Sequence, residues 1–442
     1  MNSKMLSRRT FLKGVAMTAA GAALAACAAP VPGAEPEVVF KDVQILRWHH
    51  RLGGWEIYDE RIKAFEEANP GVKVNEEEFP AGSAEYGPKI VSMVAAGVVG
   101  DVTWTAIGSG SYQFLVQNNG LAPLDDLIEA DTSGFTLDEY YPRIISSLRM
   151  GDNRLYGLPE LAHGVNTNIF FNRDLIEAEG LEAPTNEWTH DDLVQMAQAL
   201  TTADRFGFLP AIGDYSNTRN QTLPYGGEVI SDDGTTSLLN SEESKQGLRW
   251  VHDMFYGNKV APTPQQMQGA DGGTNQMFLA GQLAAYQSGG WGLSIKNVVE
   301  DKFVWDTVLM PTGPAGVRGG HLHVDAEAVT EQSEMKDAAY EFIKYLTDKE
   351  GGVGIALEIG LAARPDVYED ERVVSVPYLV LLGQGTEESD EHINPANLRK
   401  QELQTTVKAL LDPLWVGDEQ PTDEFFASAS DALQEFLDKS AE

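Results

Sequence analysis

The sequence predicts an α/β protein of two lobes, and three observations carry that reading. Strand-like and helix-like segments alternate over the first part of the chain, the pattern of a sheet wound with helices. From Gly164 the residues alternate, Val165, Thr167, Ile169 and Phe171 on one side and Asn166, Asn168 and Phe170 on the other, and the stretch leads straight into a helix start. The third observation is size: 442 residues at 42% hydrophobic suggest two or three domains at ~150 residues each, of which two is the reading adopted.

In chain order, Val43 to Trp48 reads as a strand and Trp55 to Asn69 as a helix striped by Tyr58, Ile62 and Phe65, stopped at Asn69-Pro70-Gly71. Val72, Val74 and Phe79 suggest a second strand. Tyr86, Ile90 and Val94 mark a second helix, and Val99 to Ile107 a third strand. Such alternation predicts a parallel sheet with ligands beyond the strand C-termini, where Trp48, His49, His50, Trp104 and Gly108-Ser109-Gly110 fall. That loop is a tight turn and no nucleotide fingerprint, since Gln113 stands where a third glycine is needed. Asn172 and Asp174 are placed to open a helix and Gly180 to stop it. Asp191 to Leu200 and Ser244 to Tyr256 follow as helices, with a polar, aromatic stretch at Tyr215 to Gly227 between them. Asp232-Asp233-Gly234 reads as a hairpin turn and lacks the ligand series of a calcium loop. Stripes at Leu403, Val407 and Leu410, and at Phe426, Ala429, Leu433 and Phe436, predict closing helices.

Several stretches together resemble the family 1 extracellular solute-binding proteins of ABC importers. They are Gly151-Asp152-Asn153, Tyr156-Gly157-Leu158-Pro159, Phe170-Phe171-Asn172-Arg173-Asp174-Leu175 and Glu179-Gly180-Leu181, continued by Pro184, Trp188 and Leu193. Ser288-Gly289-Gly290-Trp291 resembles the family's Ser-Gly-x-Trp strand end, and Ala339 to Leu346 its Ala-x-x-Phe-Ile-Lys-Tyr-Leu helix. Asn186 and Glu187 lengthen one loop relative to that pattern. The resemblance implies a two-lobed periplasmic-binding-protein-like fold, with a ligand cleft between lobes and three hinge crossings. These would lie near Glu160 to Gly164, Gly319 to His323 and Leu361 to Asp366. The lobes would comprise 38–162 plus 322–364 and 163–321 plus 365–442.

At the N-terminus Ser7-Arg8-Arg9-Thr10-Phe11-Leu12-Lys13 precedes an apolar run and resembles a twin-arginine export signal, and Leu24-Ala25-Ala26-Cys27 resembles a lipobox. The apolar run, about 13 residues, is well short of the ~20 that cross a bilayer. Residues 1–26 are therefore expected to be a lipoprotein signal peptide, Cys27 the lipidation site and 27–37 a proline-punctuated tether. The expected location is the outer face of the plasma membrane, periplasmic or cell surface.

Net charge is −35, which repels nucleic acid and anionic lipid. With Cys27 the single cysteine, a disulfide or thiolate metal site is excluded, and no cofactor or metal is expected. A sugar needs flat aromatic platforms and short planar hydrogen-bonding groups. Candidate ligand-binding residues are Trp48, His50, Trp104, Ser109, Asn166, Tyr225, Trp291, His321 and Arg364, although each tryptophan also fits a core role and His50 and His321 a structural one. The expected function is capture of a mono- or oligosaccharide by a non-enzymatic, monomeric binder, and its delivery to ABC permease subunits. Two alternatives stay open: a binder of a glycerol phosphate ester or polyamine, for which Arg364 is thin support, and a secreted glycoside hydrolase or lyase using paired carboxylates.

Overall fold

The structure is a computed structural model that describes residues 43–51, 55–79, 83–108, 111–268, 273–389 and 399–440. The signal segment, the tether, Cys27 and Ser109 lie outside the described residues.

Among the described residues the strands are β1 (Gln44–His50), β2 (Val72–Glu78), β3 (Val102–Ala106), β4 (Leu158–Gly164), β5 (Asn168–Asn172), β6 (Ala285–Ser288), β7 (Trp305–Leu309) and β8 (Leu322–Val329). They form one sheet of order β2-β1-β3-β8-β4 and another of order β6-β5-β7. β1 pairs in parallel with β2 and β3, as the βαβ pattern requires. The all-parallel expectation fails beyond β3, because β8 is antiparallel to both β3 and β4. The cause is topological. β4 carries the chain out of this sheet and β8 brings it back, so two neighbouring strands must point in opposite directions. The small sheet is wholly antiparallel.

The strand expected to run on from Gly164 is broken. Residues 165–167 switch sheets, and Asn166 takes a left-handed φ of 51° that its short polar side chain tolerates. The return passes through residues 310–321 to β8, and Val165 N–H donates to His321 O at 3.0 Å, tying the two crossings together.

One core packs the five-stranded sheet through Trp48, Phe65, Tyr86, Trp104 and Phe342, drawing on residues 46–162 and 322–363. A second gathers Phe170, Phe171, Phe208, Phe278, Val407 and Leu433 from residues 169–310 and 403–437. A smaller cluster joins Leu293 to Val353, Val367, Leu379 and Leu382. Asn172 caps its helix as expected, accepting from Leu175 N at 3.1 Å. In the closing helices Leu411 and Leu437 are the buried positions, one residue beyond the expected Leu410 and Phe436. The polar stretch contains a helix, Tyr215–Thr222, capped by Asp214 and buried along Arg219, Asn220, Gln221 and Thr222.

Candidate functional site

Trp291 is 41% exposed, on the turn Gly290–Ile295 that follows β6. The two glycines before it leave room for neighbouring side chains. A Cβ on Gly289 would lie 2.1 Å from the Trp291 ring, and one on Gly290 would lie 2.0 Å from Leu361. Across the junction Trp291 meets His163 of β4 edge-on, with ring centroids 4.9 Å apart at 70°.

Behind His163 a strip of polar groups runs into the five-stranded sheet. His163 and His323 are cross-strand partners of β4 and β8, their rings 4.9 Å apart. His323 Nε2 lies 2.7 Å from Asp325 Oδ1, and Arg51 Nη2 lies 3.6 Å from Asp325 Oδ2, with its guanidinium 4.4 Å above the Trp104 ring. Further in, the Tyr58 hydroxyl donates to Glu160 Oε1 at 2.5 Å and Trp48 Nε1 to Glu327 Oε2 at 2.8 Å. Burial, and then the neighbouring His323, push His163 down to about 3, so it stays neutral. Burial pushes the Glu160 carboxyl up to about 7 and raises Glu327 further, with Glu160 adding to the effect. Burial opposes ionisation of Asp325, but His323 and Arg51 outweigh it and leave its carboxyl below the usual range. Asp325 thus faces the guanidinium of Arg51 as its countercharge.

The other side of the junction is a lattice of amides. Asn166 Nδ2 donates to Asn217 Oδ1, and Asn220 Nδ2 to Val165 O. Gln287 donates to Asn166 O at 2.8 Å while its oxygen accepts from Ala211 N at 3.0 Å and Gln221 Nε2 at 2.8 Å. Gln287 also lines a cavity of about 420 Å³ with Leu209, Ile212, Phe255, Met267 and Thr274, which takes in none of the residues chosen from the sequence.

Of those chosen residues, Asn166 and His321 are brought to the paired crossings and Trp291 to their edge. Burial drives His321 well below its ordinary range. Trp48 and Trp104 are fully buried and offer no open ring face; Trp104 touches the strip through Arg51. His50 stacks on Trp48 at 4.1 Å and lies 2.8 Å from Glu76. Tyr225 belongs to another cluster, its hydroxyl 3.0 Å from His190 Nδ1. Arg364 is held by Glu139 at 2.7 Å and Asp366 at 2.9 Å, so its charge is already answered. The sequence reading passed over Arg51, His163, His323 and Asp325. A signal was present: His323 and Asp325 alternate on one face of β8, and Arg51 directly follows β1.

Residues 60–375 match the family model of bacterial extracellular solute-binding proteins. An ABC substrate-binding protein from Listeria monocytogenes, solved in complex with cycloalternan, has a TM-score of 0.77 at 20% identity, over 90% of this chain and 100% of that one. The GacH receptor of Streptomyces glaucescens GLA.O, solved unliganded and with acarbose and an acarbose homolog, gives 0.75 at 21% identity, over 89% and 98%. The maltodextrin-binding protein MdxE of Bacillus subtilis (strain 168) is 28% identical over 171 residues, 37% of this chain and 39% of that one.

Proposed function

Since the chain belongs to the bacterial extracellular solute-binding protein family, we propose that it captures a neutral mono- or oligosaccharide by hinge closure. It hands the sugar, chemically unchanged, to the permease of an ABC importer. The observation that carries this is Trp291, an exposed aromatic ring set at the junction beside a strip of hydrogen-bonding groups. An apolar sugar face stacks on such a ring while hydroxyls meet Arg51, His323 and Asp325. Arg51 already faces Asp325, and an anionic ligand would want several arginines or lysines free to meet it. The sugars named with the solved neighbours and the maltodextrin relative support the same class.

In this reading the lobes are 38–162 plus 322–364 and 163–321 plus 365–442, closing on the ligand because it touches both. The protein is a monomer held outside the plasma membrane by lipid on Cys27. Among the described residues no helix is long and apolar enough to cross a membrane. The test is a thermal-shift screen against a sugar panel, followed by calorimetric titration and chromatography of the recovered sugar. A cognate sugar raises the melting temperature and returns intact. A panel without effect, or a cleaved sugar, overturns the proposal.

A further inference from the structure

Gln404 lies on the helix Lys400–Val416, whose buried face joins the second core, yet its side chain reaches the other lobe. Its Nε2 donates to Gly108 O, just past β3, at 3.2 Å. The same amide is clamped within its own lobe, because Oε1 accepts from Ser216 N at 3.2 Å and Nε2 donates to Ser216 Oγ at 2.8 Å. The clamp decides which way the amide faces. A flipped amide would set its NH₂ against the Ser216 N–H and its oxygen against the Gly108 carbonyl, two repulsive contacts in place of two bonds.

The acceptor is equally fixed from behind. The His323 ring presses on Gly108 so closely that a Cβ there would sit 2.1 Å from its Nδ1, and His323 is held in turn by Asp325 at 2.7 Å. A run of contacts therefore leads from Asp325 in the five-stranded sheet through His323, which packs against Gly108, and on by hydrogen bonds through Gln404 to Ser216 on a helix of the second core. We propose that Gln404 is a latch. It joins the lobes directly, needs no ligand to do so, and sets how much of the ligand-free protein is already closed. This rests on the hinge-closure reading above, and it adds that closure has a ligand-independent component.

Single-molecule energy transfer tests it in the full chain carrying Cys27→Ser, labelled through Lys63→Cys on one lobe and Lys439→Cys on the other. Without ligand, Gln404→Ala lowers the closed-to-open ratio about 2- to 13-fold, the worth of one net hydrogen bond. Gln404→Glu keeps the shape and the Ser216 contacts but turns an oxygen toward the Gly108 carbonyl, so it lowers the ratio further. Unchanged ratios in both variants, in a protein whose unsubstituted form does close on adding a sugar of the panel, overturn the latch and leave hinge closure standing. A single unmoving population in every form, with and without sugar, overturns both.

Discussion

The two sides of the junction solve the same problem with different chemistry. Both bury polar side chains where the sheets meet. The five-stranded side uses ionisable groups, the buried His163, Asp325, Glu160 and Glu327 and the partly exposed His323, with one guanidinium from Arg51. The three-stranded side uses amides, Asn166, Asn217, Asn220, Gln221 and Gln287, bonded to one another and to the backbone. An amide carries donor and acceptor together and never changes charge, so its lattice is indifferent to pH. Buried carboxyls and imidazoles are satisfied only in particular protonation states. Of these two sets of side chains, only the ionisable one should respond to pH.

The largest effect should come from Trp48→Ala, which empties a core site and removes the donor to Glu327. Urea denaturation should show a loss of about 3 to 5 kcal/mol, and a smaller loss would mean that the wall behind the strip is less tightly built than its burial indicates. Next is Glu160→Gln. The folded carboxyl is raised to about 7, above its unfolded value, so its contribution is fully present below about pH 4.5 and is lost as pH rises through 7. Relative to the unsubstituted protein, Glu160→Gln should gain on the order of 2 to 3 kcal/mol between pH 4.5 and 7, read by denaturation at both values. Equal differences at the two pH values would erase the contrast between the sides.

On the amide side, Gln287→Leu strands Ala211 N–H, the Gln221 amide and Asn166 O, costing about 2 kcal/mol. The comparison predicts the same cost at pH 4.5 and 7; a pH-dependent cost would show that the lattice is coupled to the ionisable strip. The smallest effect on folding belongs to Trp291→Ala. Exposed at the edge, it should weaken the cognate sugar by ~5- to 150-fold in calorimetry, about 1 to 3 kcal/mol, while stability hardly moves. Unchanged affinity in a destabilised protein would make Trp291 a packing residue.

The fold was legible wherever a period was present. The β1 to β3 strands, the capped helix after Asn172 and the stripe over Lys336–Thr347 stand within a few residues of their expected places. The helix Tyr215–Thr222 escaped because it buries amides, a guanidinium and hydroxyls and so shows no apolar stripe. The sheet break at Asn166 escaped because alternation continues on both sides of it. Trp48 and Trp104 stand at strand ends in the sequence, but strand ends do not reveal which face a helix covers, and both rings lie in the core. His323 and Asp325 matter through their neighbours on β4, and that pairing joins residues far apart in the chain.

The position of β8 has a consequence for how the chain acquires its structure. This strand lies between β3 and β4, yet it is made only after all three strands of the other sheet. Until residue 329 or so has left the ribosome, β3 and β4 have no partner between them and both expose hydrogen-bonding edges. The first lobe thus stays incomplete while the inserted residues 163–321 are made, and its nascent form is a target for chaperones that shield open sheet edges. Pairings across more than 150 residues also carry a large loop-closure cost before they are rewarded, so refolding from urea should be slow, with the three-stranded side gaining protection from hydrogen exchange before β3 and β4 do.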